Sequence, residues 1–135
     1  MTTETDKVKF HPKWMQVMYA LTFIAAGIAG VSGLTNSFKS ALSIPSAEPF
    51  LSGVAYSMWL TLAILSIAGL RSPLKYTPVL MFGMTYKTVW LLAVVVPNLM
   101  SGVALPQSVI FNGVSWIFVI IGYAIAIPWK HVFAK

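Results

Sequence analysis

The chain has no cysteine among its 135 residues. Disulfides, thiolate catalysis, cysteine-ligated metals and iron–sulfur clusters are excluded with it. Charge is nearly as scarce: 9% of the residues are charged, against about 25% in an ordinary soluble domain. Acid is scarcest, with three carboxylates (Glu4, Asp6 and Glu48) against nine Lys and Arg. No carboxylate pair is available for acid–base work. No Ser/His/Asp set can form, and the acidic chains of proton-coupled pumps are missing. There is also no Gly-rich phosphate loop after a strand, no internal repeat and no linker that separates two domains. A catalytic role is therefore the weaker expectation.

What the chain has is apolar surface. Hydrophobic residues make up 58% of it, and the mean hydropathy is +0.81. So short a chain cannot hide that much in a water-soluble core. A soluble enzyme, a disordered tail and a nucleic-acid-binding domain are all excluded. A helix needs about 20 apolar residues to cross the hydrocarbon core. Four runs qualify, at about 14–34, 50–70, 76–96 and 108–128. Backbone groups in lipid must be satisfied within the segment, so each run is predicted to be a helix. Thr35 to Pro49 reads as a polar connection, Arg71 to Lys75 as a tight basic turn, and Pro97 to Pro106 as an uncharged one. Short connections make successive helices antiparallel. The expected fold is all-α: a single membrane domain over 1–135, an up-down-up-down four-helix transmembrane bundle.

Orientation follows from Lys and Arg near the span ends. The N-terminal tail, the second connection and the C-terminus share one side, which holds Lys7, Lys9, Lys13, Arg71, Lys75, Lys130 and Lys135. The other side holds Lys39. This imbalance predicts both termini in the cytoplasm and a multi-pass protein of the cell inner (cytoplasmic) membrane. The positive charge reads as a topology signal with some attraction to anionic lipid headgroups, not as a nucleic-acid surface. Trp14, Tyr76, Trp129 and Phe133 fall where an interfacial aromatic belt belongs. The first run, at about 21 residues, exceeds the apolar region of a signal peptide and is expected to stay uncleaved.

Small residues mark the expected helix contacts. Ala26 and Gly30, like Ala29 and Gly33, have the small-xxx-small spacing that lets backbones approach. They serve either a neighbouring helix of the same chain, the favoured reading, or a homo-oligomer. Gly113 and Gly122 offer similar contacts. Pro78 suits a first helical turn, Pro97 and Pro128 are expected to end the third and fourth spans, and Ser46 with Glu48 suits a helix start. Gln16, Tyr19 and Thr22 share one face of the first helix. Asn112, the costliest polar group of the fourth to leave unpaired, is expected to face the bundle. His11 and His131 read as interfacial residues. Two histidines at that level are a poor haem site and do not fill a zinc site, so no metal is expected and the cofactor is left unknown.

Lys87 is the anomaly. It lies near the middle of the third run, about 15 Å from either end, beyond what snorkelling covers. A lysine at a helix centre costs about 2.5–3.5 kcal/mol on insertion scales. Such residues usually face the bundle interior or a water-filled cavity and have a partner. Three readings compete. Lys87 can pair loosely with Glu48, it can stay neutral because burial disfavours charge, or it can hold a ligand or a partner protein's carboxylate. A bland alternative, bonding only to helix carbonyls and neighbouring hydroxyls, stands beside them. Helical spacing places Gly83 and Trp90 on its face. Gly83 leaves space there, and Trp90 offers an aromatic wall with an N–H donor. Tyr86 borders the site, and Glu48 lies near its outer mouth.

In length, span number and topology the chain resembles the DoxX-like group of small four-helix bacterial membrane proteins. More locally, the stretch Tyr86-Lys87-Thr88-Val89-Trp90-Leu91-Leu92, preceded by Pro73 and Pro78, resembles the third helix of small bacterial membrane proteins without an assigned role. The resemblance implies a link to quinone or thiol redox systems, and the missing cysteines count against the thiol role. The leading expectation is a protein that binds a lipid-like or quinone-like molecule in an intramembrane pocket around Lys87, Trp90, Tyr86, Gly83 and Glu48. The alternative is an accessory or assembly subunit whose Lys87 pairs with a partner's carboxylate. A transporter protomer is a third reading. The expected partners are the lipid bilayer and either a membrane protein or a second copy, and no nucleic acid.

Overall fold

The computed structural model describes residues 11–43, 48–102 and 104–133. Glu4, Asp6, Lys7, Lys9, Ser46 and Lys135 lie outside them. The elements are α1 (Pro12–Ser43), α2 (Glu48–Arg71), α3 (Thr77–Trp90), a π-helical turn (Leu91–Val95), α4 (Val96–Met100), α5 (Gln107–Ala126) and α6 (Trp129–Val132). No strand occurs among the described residues. Four stretches are long and apolar enough to cross a membrane: Pro12–Ser40, Leu51–Arg71, Thr77–Met100 and Gln107–Ala126. Large apolar side chains point outward from all of them, Ile28, Met58, Leu92 and Phe118 among them. Such a surface would be an aggregation liability in water and is the lipid-facing surface in a bilayer. The protein is a small multi-pass integral membrane protein built as an all-helical bundle.

The first hairpin, α1 with α2, is the most tightly built. Its register is antiparallel: Gly27 faces Ala63, Gly30 faces Leu60, and Gly33 faces the Tyr56 ring. A Cβ added at Gly30 would stand 2.8 Å from the Leu60 amide nitrogen. The small residues of α1 are thus used by α2 of the same chain, where missing side chains let two backbones touch. Near the other end of the hairpin the Tyr19 ring lies over Gly69.

The second hairpin packs the third span against α5. Gly83 lies under Tyr123, and a Cβ added at Gly113 would lie 3.7 Å from the Leu91 side chain. The two hairpins join at the end that carries the chain termini. There Met15, Met18, Tyr19, Leu62, Leu80, Tyr123 and Ile127 form one buried cluster. Three hydrogen bonds to backbone carbonyls tie it: Trp14 Nε1–H to Gly122 at 3.1 Å, Gln16 to Leu70 at 3.2 Å, and the Tyr19 hydroxyl to Pro73 at 2.9 Å. Toward the opposite end the buried apolar side chains thin out to Val95, and the diverging hairpins leave clefts between them.

Three sequence expectations need correction. Thr35 to Pro49 is largely not a loop, because α1 runs on to Ser43 and α2 starts at Glu48. The hydroxyls of Ser32 and Thr35 return to the carbonyls one turn back, at 2.7 and 2.9 Å, so they do not break the helix. At about 1.5 Å per residue α1 reaches about 48 Å, well past a core of about 30 Å. Pro97 does not end the third span, which continues to Met100. Below it the Val96 N–H bonds the Leu91 carbonyl, a wide π turn of the kind that takes a proline ring and its missing donor into a helix. Asn112 is not packed inside the bundle: it is exposed, at the mouth of a cleft between α1 and α5. The fourth span ends near the expected place: Ile127, before Pro128, is extended at ψ 123°, as the proline ring demands. α6 then places the stacked rings of Trp129 and Phe133, 6.0 Å apart, at the bundle end.

Candidate intramembrane binding site

Lys87 lies about ten residues beyond Thr77, the start of its span, so about 15 Å deep along the helix. It is buried, with 7% of its surface exposed. Its stem curls back along α3. The amine donates to the Tyr86 hydroxyl at 2.6 Å and to the Gly83 carbonyl at 3.4 Å. It also stands over aromatic faces: 4.1 Å from the Tyr86 centroid, 5.3 Å from Tyr123 and 5.6 Å from Trp116. Those distances are within the range in which a ring quadrupole attracts a cation. A protonated amine has three donors, and the two named hydrogen bonds then leave one for another acceptor.

The surroundings are assembled from all four spans. Gly83 lets Tyr123 pass close to α3, since an added Cβ would lie 3.1 Å from its ring and hydroxyl. Tyr123 is fixed from the other side by Thr22, whose hydroxyl lies 2.5 Å from its own. Thr22 in turn donates to the Met18 carbonyl at 2.7 Å. Trp116 of α5 packs edge-on against Tyr86 at 5.9 Å and against Trp90 at 4.6 Å. The result is a cleft of about 410 Å³, within the volume range of small-molecule pockets. Leu21, Ala25 and Ala29 of α1 form one wall, Trp116 and Val119 of α5 another, and Tyr86, Lys87 and Trp59 the floor. Leu21, Ala25 and Asn112 at its edge are exposed, so the cleft opens sideways between α1 and α5, toward lipid.

The sequence-expected site residues separate into three groups. Lys87 and Tyr86 line the cleft, and Gly83 supplies the space and the carbonyl beneath the amine. Trp90 is one ring removed and buttresses Trp116. Glu48, the one carboxylate among the described residues, lines a different cavity between the ends of α1 and α2. The cleft also takes in Thr22, Trp59, Trp116 and Tyr123, which read in the sequence as ordinary polar and aromatic positions of three other helices. Only tertiary packing brings them to Lys87. Asn112 and Ser115 add polar groups on the side toward the second hairpin's loop, and the Ser115 hydroxyl donates to the Phe111 carbonyl at 2.8 Å. His11 and His131 are exposed. Among the described residues no cluster of three or more His, Cys, Asp or Glu could hold a metal ion.

Chemically the cleft offers one amine, hydroxyl and amide groups, and flat aromatic walls, inside an apolar frame. It suits an apolar molecule with an acceptor group that reaches the amine. No protein-family model, no curated protein and no solved structure matches the chain.

Proposed function

We propose that this protein binds a lipid-like or quinone-like molecule in the Lys87 cleft, with both termini in the cytoplasm and the chain in the cell inner membrane. The observation that carries the reading is the buried amine at the floor of a laterally open cleft, with the Gly83 carbonyl and the rings of Tyr86, Tyr123 and Trp116 around it. A lysine at this depth is costly unless it faces a cavity with a partner. The cleft supplies the cavity, and an acceptor on a lipid-soluble molecule supplies the partner. Trp116 and Tyr123 form the walls for its ring or chain. The resemblance to DoxX-like proteins points the same way. A volume of about 410 Å³ favours a small molecule over a partner's helix, so the subunit reading takes second place. The amine positions and no reaction is assigned to it.

The reading is tested by thermal unfolding in mild detergent before and after exhaustive detergent exchange. A ligand that binds only the folded state raises the unfolding temperature. The wild-type protein is expected to lose stability on exchange. Lys87→Met is expected to lose less on exchange than the wild type, and to unfold above the stripped wild type once stripped itself, because it no longer buries an amine. An equal loss for the wild type and Lys87→Met on exchange would overturn the reading.

A further inference from the structure

Glu48 plays no part in the Lys87 cleft, and its surroundings form a second site. The carboxylate lies in a polar chamber of about 330 Å³, with Asn36 and Ser40 of α1 and Ser52 of α2. Ser37 and Pro49 belong both to this chamber and to an apolar groove of about 860 Å³. The groove follows α2 from Pro49 to Leu65 and is bounded across the gap by Val79 and Phe82 of α3. Seventeen residues of helix make it about 24 Å long, more than the ~15 Å of hydrocarbon in one leaflet. The chamber sits where α1 ends and α2 begins, at the ends of two candidate membrane spans, and the groove runs from it along α2.

We propose that chamber and groove together hold one amine-headed phospholipid, its ammonium on Glu48 and one acyl chain along α2. A polar cavity that opens at interface depth into an apolar groove has the outline of an amphiphile. Glu48 is exposed to the chamber, and a carboxylate there accepts charge-assisted hydrogen bonds from a primary ammonium. Lys39 and Glu48 are the described charged residues at this end of the bundle, and their charges cancel. That balance suits a zwitterionic head better than an anionic one. The groove shares no lining residue with the Lys87 cleft, so this proposal stands apart from the proposed function. Gly53 lies in the groove wall, and a Cβ there meets nothing nearer than the Ser37 Cβ at 4.0 Å. A larger side chain at 53 enters the groove without disturbing the hairpin.

The test is native mass spectrometry of the full chain in mild detergent, titrated with phosphatidylethanolamine or with phosphatidylcholine of the same acyl chains. The two heads carry the same charge, and the second lacks N–H donors. Phosphatidylethanolamine is expected to be retained at about tenfold lower concentration, the effect of one charge-assisted contact at a wet interface. Glu48→Gln is expected to erase that preference, Gly53→Leu to weaken both lipids, and Lys87→Met to change neither. Unchanged unfolding temperatures for Glu48→Gln and Gly53→Leu show that the fold persists. Equal retention of the two lipids, annular lipid only, would overturn the proposal. So would a preference that survives Glu48→Gln.

Discussion

Lys87 is held almost wholly by its own helix, through the hydroxyl of its neighbour and the carbonyl one turn back. That arrangement leaves the amine beside Tyr123 and Trp116 of α5. It also explains how Tyr86, about 100° round the helix from Lys87, becomes its nearest partner: the flexible stem bends toward the ring. The depth and oddity of Lys87 were legible in the sequence. Its neighbours from α1, α2 and α5 were not, because aromatic and hydroxyl residues are common at helix contacts and carry no mark of which helix they meet. The buried pair of Thr22 and Tyr123 sets the far wall. Interhelical hydrogen bonds in membranes are worth about 0.6 kcal/mol on average and up to about 1.7. A double-mutant cycle of Thr22→Val and Tyr123→Phe, read by unfolding in detergent, is expected to give a coupling within that range. Additive effects would mean that the two hydroxyls stand side by side without bonding.

At the scale of the element, glycine has two opposite uses in the first hairpin. Gly30 is needed because the Leu60 backbone occupies the space of its side chain. A Cβ at Gly53 would meet only the Ser37 Cβ, at 4.0 Å. Gly30→Ala is expected to destabilise by about 1–3 kcal/mol, the usual cost of overpacking. Gly53→Ala is expected to be neutral or stabilising by up to ~1 kcal/mol, since alanine favours the helix. Unfolding of both variants by denaturant in the same detergent gives the comparison, and equal losses would contradict the packing described. Hydropathy located all four spans. It misjudged the far end of α1, where Ser32 and Thr35 satisfy their hydroxyls on the helix itself. It also misjudged Pro97, since a π turn leaves no trace in composition.

For the whole molecule, the cleft and the groove lie between the two hairpins, which share their buried core at the end that carries the termini, while the Glu48 chamber lies within the first hairpin. Which end faces the cytoplasm is a matter of charge. Arg71 and Lys75 flank one short connection, and the connection after Met100 carries no charge. The absence of native cysteine makes this easy to test, because a single introduced thiol is the only one present. Ser72→Cys and Ser101→Cys both place a thiol on an exposed residue. In intact cells a membrane-impermeant maleimide is expected to label Ser101→Cys and to spare Ser72→Cys until the cells are opened. The reverse pattern would place the termini outside.

The most direct measurement is the mass of the gently solubilised protein beyond its 14.7 kDa chain, compared between wild type and Lys87→Met by native mass spectrometry. The expected result is a discrete small-molecule adduct on the wild type that is absent from Lys87→Met, while phospholipid adducts persist on both. A bare wild-type chain, or an adduct that Lys87→Met retains, would contradict a binding site built on Lys87.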